Sequence, residues 1–144
     1  MWRMPTKFEA TKQTKASVAK AMDYFMHPEN IPKVHPGFVK DVKVLSSEGD
    51  TMTIEQHAEM MGKKLRSVNK LSLKRDQSTF EIDTLEGDGR GSKITIGLKE
   101  TPAGTELHYV ANMELGPLGF VAKGPAKSTF EKTIEEDAKA LDSM

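Results

Sequence analysis

Between residues 38 and 115 apolar side chains recur at every second position, and nothing else in this 144-residue sequence narrows the fold as much. A period of two marks strands that bury one face. Phe38–Leu45 has Val42 and Val44 on one face. Thr51–Met61 sets Met52, Ile54, Gln56, Ala58 and Met60 against Thr53, Glu55, His57 and Glu59. Leu65–Lys74 sets Leu65, Ser67, Asn69, Leu71 and Leu73 against Lys64, Arg66, Val68, Lys70 and Lys74. Phe80, Ile82 and Thr84 then oppose Glu81 and Asp83, and Ile94, Ile96 and Leu98 oppose Lys93, Thr95 and Lys99. Leu107, Tyr109, Ala111, Met113 and Leu115 complete the series. Gly, Pro, Ser and Asp clusters separate the runs, so the pattern predicts an antiparallel meander of six strands.

The period lengthens at both ends of the meander. Residues 3–13 suit a short edge strand, and Ala16–Met26 carries Val18, Ala19, Met22, Phe25 and Met26 at amphipathic-helix spacing. Thr14 is a candidate N-cap, and His27-Pro28 stops the helix, because a residue before proline avoids the helical region. Pro28, Pro32 and Pro36 leave room for one short helical turn between them. Near the C-terminus Ala126, Phe130, Ile134, Ala138 and Leu141 form a helical stripe. Lys127/Glu131, Lys132/Glu136 and Glu135/Lys139 are opposite charges four apart on the other side. At Gly124-Pro125 either this helix begins, with proline in its first turn, or an earlier turn is kinked. A sheet with one apolar face must cover it, and this last helix is the only long apolar stripe available. The expected class is α+β: a curved antiparallel sheet wrapped around the C-terminal helix, with residues 1–144 as one domain.

Composition removes whole classes of function. Basic and acidic residues balance at 21 each, which argues against a nucleic-acid binder relying on many phosphate contacts. With no cysteine there is no disulfide scaffold, thiolate metal site or thiol nucleophile. The N-terminal residues lack the apolar core of a signal peptide, and no apolar run approaches a membrane span. A cytoplasmic protein without stable membrane insertion is the expectation.

Three segments resemble a known group: Asp23–Pro32 continuing to His35-Pro36-Gly37, the glycine series Gly87-Asp88-Gly89-Arg90-Gly91-Ser92, and Pro102–Tyr109. With Met113–Gly119, and with the order strand, helix, six strands, helix, they are similar to the START/pollen-allergen/polyketide-cyclase (SRPBCC) superfamily. Within it the chain most resembles the CoxG-like family, named for its link to carbon monoxide dehydrogenase. The resemblance implies a helix-grip fold with a hydrophobic cavity between sheet and last helix. It also implies a lipid, quinone, sterol or polyketide ligand, with a minority of members acting as cyclases or other enzymes.

Given such a cavity, the concave strand faces supply its candidate lining: Met22, Phe25, Met52, Ile54, Gln56, Ser67, Asn69, Ile82, Thr84, Ile96, Tyr109 and Met113, with Phe130 and Ile134 from the last helix. A filled core would avoid the polar members of that set and Ser92, whereas a ligand cavity uses a few convergent polar groups to orient its occupant. The methionines among them adapt to irregular shapes, in a core as well as in a pocket. Pro28–Gly37 and Gly116–Gly124 are the candidate rim and gate.

Other motifs read as structure. The basic run Lys63–Arg75 faces Glu55, Glu59, Glu81 and Asp83 on neighbouring strands, which predicts cross-strand pairing. Gly87–Gly91 precedes a strand, and a phosphate loop requires a helix there. The four histidines show no metal-ligand spacing, and no cofactor is indicated. No carboxylate or histidine falls clearly on the inward positions, so no catalytic residue is assigned. Three functions stay open: a carrier of a hydrophobic small molecule, a cyclase or aromatase using Tyr109 with Gln56 or Asn69 to polarise a carbonyl, and an accessory protein acting through its surface on an unidentified partner.

Overall fold

The computed structural model describes residues 5–116 and 119–144. The chain runs β1 (Thr6–Thr14), α1 (Val18–Phe25), α2 (Asn30–Val34), β2 (Val39–Glu48), β3 (Thr51–Met60), β4 (Lys63–Lys74), β5 (Thr79–Gly87), β6 (Lys93–Thr101), β7 (Gly104–Met113) and α3 (Gly119–Asp142). All strand pairs are antiparallel, in the order β1-β7-β6-β5-β4-β3-β2. The two short helices carry the chain from one sheet edge to the other, and the meander returns it to β7 beside β1. This is the helix-grip arrangement, with α3 against the concave face.

Alternation sets the register. Ile54, Leu71, Leu73, Phe80, Ile96, Leu98, Leu107 and Tyr109 point to one face and are buried there with Ile134 and Leu141 of α3. Two expectations change. Ser17, not Thr14, caps α1, its side chain accepting from the Lys20 amide (3.2 Å). Thr14 instead donates to Asp142 at the end of α3 (2.6 Å), and the Lys15 amide donates to the same carboxylate (2.8 Å). That pair of bonds ties the end of the last helix to the first strand. Val42 and Val44 do share the face of Gln56 and Ile54, with which they are in register, but Val44 is 47% exposed, because β2 is the edge strand.

The glycine series forms the β5–β6 hairpin, as its following strand requires. Gly87 has φ +84°, and a Cβ there would lie 2.2 Å from the Arg66 carbonyl oxygen of β4, so only glycine lets the strands approach. Pro125 falls inside α3, which begins at Gly119. Residues 119–124 of the expected gate are therefore helical, and positions 117 and 118 lie outside the described residues.

Leu107 is wholly buried in this core. Leu107→Ala should lower the unfolding free energy by about 2–5 kcal/mol. Val44→Ala, on the exposed edge, should stay within about 0.5 kcal/mol of the parent. Urea titration of both variants checks the pair.

Candidate functional site

Strand register lines the concave face with rows that change chemistry along the sheet. One row, Leu73, Phe80, Ile96 and Tyr109, is apolar apart from a phenol. The next joins Met52, Leu71, Ile82, Ile94, Ala111 and Phe8. Beyond it come Ile54, Asn69 and Thr84, then Gln56 and Ser67. Helix α1 and the C-terminal half of α3 close the first end, where Phe25 stacks on Phe80 at a centroid distance of 5.3 Å. At the other end Gln56, Ser67, Ile82, Thr84, Ile94, Met113 and Phe130 are only half-buried. Ile82 lies mid-strand with Leu71 and Ile94 on its two sides, so its accessible area opens through the concave face.

The expected lining residues thus divide. Phe25, Ile96 and Ile134 are buried in the closed half, with Met22 and Met52 packed at its margin, and Ile54 is buried beside Asn69 in the next row. Gln56, Ser67, Ile82, Thr84, Met113 and Phe130 sit in the open half. Asn69 is buried at the boundary, as is Ser92, whose hydroxyl accepts from the Glu114 amide (2.8 Å). Tyr109 is buried, its ring edge-on to Phe130 at 6.3 Å.

One expectation needs correction: titratable groups do face inward. Asp137 of α3 is 6% exposed and accepts hydrogen bonds from the hydroxyls of Tyr24 (2.6 Å) and Tyr109 (2.8 Å). His35, just after α2, puts Nε2 2.9 Å from Asp137 and Nδ1 3.0 Å from Glu136. Burial works against a charged imidazole here. The hydrogen bond and charge of Asp137, then those of Glu136, outweigh it and raise the His35 pKa. With a carboxylate at each nitrogen, both positions donate and the ring is an imidazolium. Burial, reinforced by the Asp137 charge, pushes both tyrosines well above the usual phenol range, so they remain neutral donors.

The sequence carried a signal for Asp137. It lies three residues after Ile134 and four before Leu141, inside the buried arc of the stripe. Glu136 correspondingly meets His35, not Lys132 four residues earlier.

A second feature is an open cleft of about 300 Å³ between α3 and the β2–β3 side, lined by Gly37, Phe38, Met60, Thr129, Lys132 and Glu136 among others. Gly37 belongs to the expected rim loop. The basic run is paired in part: Arg66 meets Glu55 (2.9 Å), Lys74 meets Glu81 (3.2 Å) and Arg75 meets Asp50 (2.8 Å), while Lys63, Lys64 and Lys70 make no ion pair among the described residues. His57 and His108 point outward onto Asp41 and Glu9. Among the described residues no group of three or more potential ligands could hold a metal ion, and no helix is long and apolar enough to cross a membrane.

The comparisons with known proteins agree with this geometry. A family model described as polyketide cyclase / dehydrase and lipid transport matches residues 5–143. No curated protein matches the sequence. Among solved structures, TTHA0849 from Thermus thermophilus superposes with a TM-score of 0.81 at 18% identity, covering 96% of this chain and 95% of that one. The Zhui aromatase/cyclase from Streptomyces sp. R1128 gives 0.78 at 13% identity, covering 96% and 92%. A START superfamily protein from Mycobacterium smegmatis gives 0.72 at 18%, covering 95% and 94%. At these identities the structures share the fold alone.

The His35 pairing makes stability depend on pH. The folded state holds the His35 proton above pH 6.5, the ordinary histidine value, where the unfolded chain releases it. The contribution is therefore complete below pH 6.5 and disappears as pH rises through the raised folded value. Urea unfolding across pH 6 to 9 should show stability falling, with a visibly shallower fall in His35→Gln. An identical slope in the variant would remove the histidine from the account.

Proposed function

The chain belongs to the polyketide cyclase / dehydrase and lipid transport family, and from that premise we propose that it binds a hydrophobic small molecule between the sheet and α3, as a carrier or accessory protein. The half-buried position of Ile82 in the middle of a central strand carries this reading. In a filled core that side chain would be covered, as Leu71 beside it is. Phe130 and Met113 complete apolar walls, and Gln56, Ser67 and Thr84 supply the few polar groups that orient an occupant. The cleft beside Gly37 and Met60 is the proposed access route. Within the family we place the chain nearest the CoxG-like branch, on its glycine series and proline loop. We read residues 1–144 as one cytoplasmic domain that takes neither nucleic acid nor stable membrane insertion.

A second reading, a cyclase-type enzyme, is favoured by the Tyr109–Asp137 contact deep in the fold. Against it, both His35 nitrogens, both tyrosine hydroxyl protons and both Asp137 oxygens are committed within the cluster, which leaves the second Glu136 oxygen outside it. A general base needs a free acceptor, and His35 has none while both nitrogens donate. The carrier reading therefore stands first.

Ile82→Trp tests it. An indole placed in open space should leave stability near the parent value and weaken uptake of N-phenyl-1-naphthylamine about tenfold or more, one lost aromatic contact set being worth over 1 kcal/mol. In a filled core the same change would cost about 1–3 kcal/mol. That cost, together with a parent protein that takes up no dye, would sink the proposal. Mass spectrometry of an organic extract then identifies any resident ligand.

A further inference from the structure

Resting on that binding reading, we propose that the occupant is an apolar molecule bearing a hydroxyl, a phenol or an alcohol, whose O–H donates to Asn69. Asn69 is 5% exposed and sits on the concave face between Ile54 and Thr84. Its Nδ2 donates to the Ser67 hydroxyl at 3.4 Å, a long bond, and its Oδ1 has no hydrogen-bond partner among the described residues. It is the only buried side-chain oxygen or nitrogen among them left in that condition.

An unpaired buried carbonyl oxygen destabilises the fold, because it has given up water without gaining a partner. The apolar alternative was open at this position: the same face holds isoleucine or leucine at Ile54, Leu71 and Ile82. A retained amide with one atom unsatisfied therefore reads as a contact awaiting its partner. Around it Gln56 and Thr84 make no side-chain hydrogen bond among the described residues, and both are half-buried with Ser67. Such side chains turn aside when a ligand enters and expose the amide oxygen beneath them.

This arrangement selects by hydrogen-bond role. Asn69 Oδ1 requires a donor, and the neighbouring hydroxyls and the Gln56 amide can donate back. A phenol or alcohol does both at one atom, whereas an ether or a quinone carbonyl only accepts. The apolar row of Ile82, Ile94 and Phe130 takes the body of the molecule. A site built to bond a hydroxyl rejects the analogue without it, because its own polar atom is then left bare.

The test is calorimetric titration of the full chain with 2-naphthol, 2-methoxynaphthalene and 1,4-naphthoquinone. The expected result is naphthol binding about tenfold tighter than the other two, the size of one well-made hydrogen bond to a buried acceptor. Asn69→Leu should bring naphthol down to the affinity of the ether and leave the ether unchanged. The parent comparison needs no variant, so it stands even where Asn69→Leu fails to fold. An ether or quinone that binds as tightly as naphthol overturns the donor requirement while leaving the binding reading intact. Naphthol preference that survives in Asn69→Leu moves the contact to another residue and overturns the assignment. If none of the three binds, the cavity reading itself falls and takes this one with it.

Discussion

Three separate parts of the chain meet at one carboxylate. Asp137 accepts from Tyr24 of α1, from His35 after α2 and from Tyr109 of β7, and these bonds fix the rotation and depth of α3 against the sheet. Burying a carboxylate would ordinarily cost several kcal/mol. Short charge-assisted bonds to an imidazolium and two hydroxyls offset that cost only if all three donors arrive together. The network is therefore a condition on tertiary structure, stricter than apolar packing, which tolerates small rotations of a helix. Phe130 stands seven residues before Asp137, two turns along the same helix face. Fixing the carboxylate thus also aims the phenyl ring at Phe8 (5.6 Å) and Tyr109 (6.3 Å) and sets the roof of the open half.

The same network separates rigidity from reception. On its C-terminal side, α3 is closed over by α1, with Leu141 wholly buried and Asp142 held by Thr14 and the Lys15 amide. Towards the other end of the face, Gln56, Ile82, Thr84 and Phe130 of α3 are only half-buried. A titratable cluster inside a fold of this kind suggests acid–base chemistry at first sight. The donors and acceptors give a different answer: two phenol protons, two ring nitrogens and both Asp137 oxygens are engaged with one another or with Glu136. A group whose proton is held between two partners anchors a structure better than it exchanges with a substrate.

Most of the architecture could be read from spacing alone, because period two and period 3.6 are imposed directly by backbone geometry. The failures are equally physical. Thr14 and Ser17 are both good capping residues, but β1 runs through Thr14, whose hydroxyl goes to Asp142, 128 residues downstream, and Ser17 serves the helix. Val44 keeps the alternating pattern and pairs with Ile54, but β2 ends the sheet, and an edge position leaves no trace in residue type. His35 lies in a proline-rich loop without periodicity, so its direction is set wholly by contacts with α3. Asp137 is different. An acidic residue flanked on the helix surface by Ile134, Ala138 and Leu141 was visible in the sequence, and so was an inward Tyr109 in need of an acceptor. Those two observations belonged together.

The concave face carries its own argument about where function lies. A sheet selected only for stability would continue its aliphatic rows to the end, since each buried aliphatic side chain contributes about 1.5–3 kcal/mol. Here the rows turn polar over a short distance, from Leu71 and Ile82 to Asn69 and Thr84 to Gln56 and Ser67. At Asn69 the change does not follow exposure to bulk water, because that residue is as buried as Leu73 two rows away. In the closed half the buried polar groups, Asp137, His35 and Thr14, are satisfied by partners, whereas at this end Asn69 Oδ1 is not. Departures from consistency in natural proteins concentrate where binding demands them. On the proposed binding reading, the polar end of the face is the part that meets the occupant, and the apolar end the part that holds the sheet and α3 together.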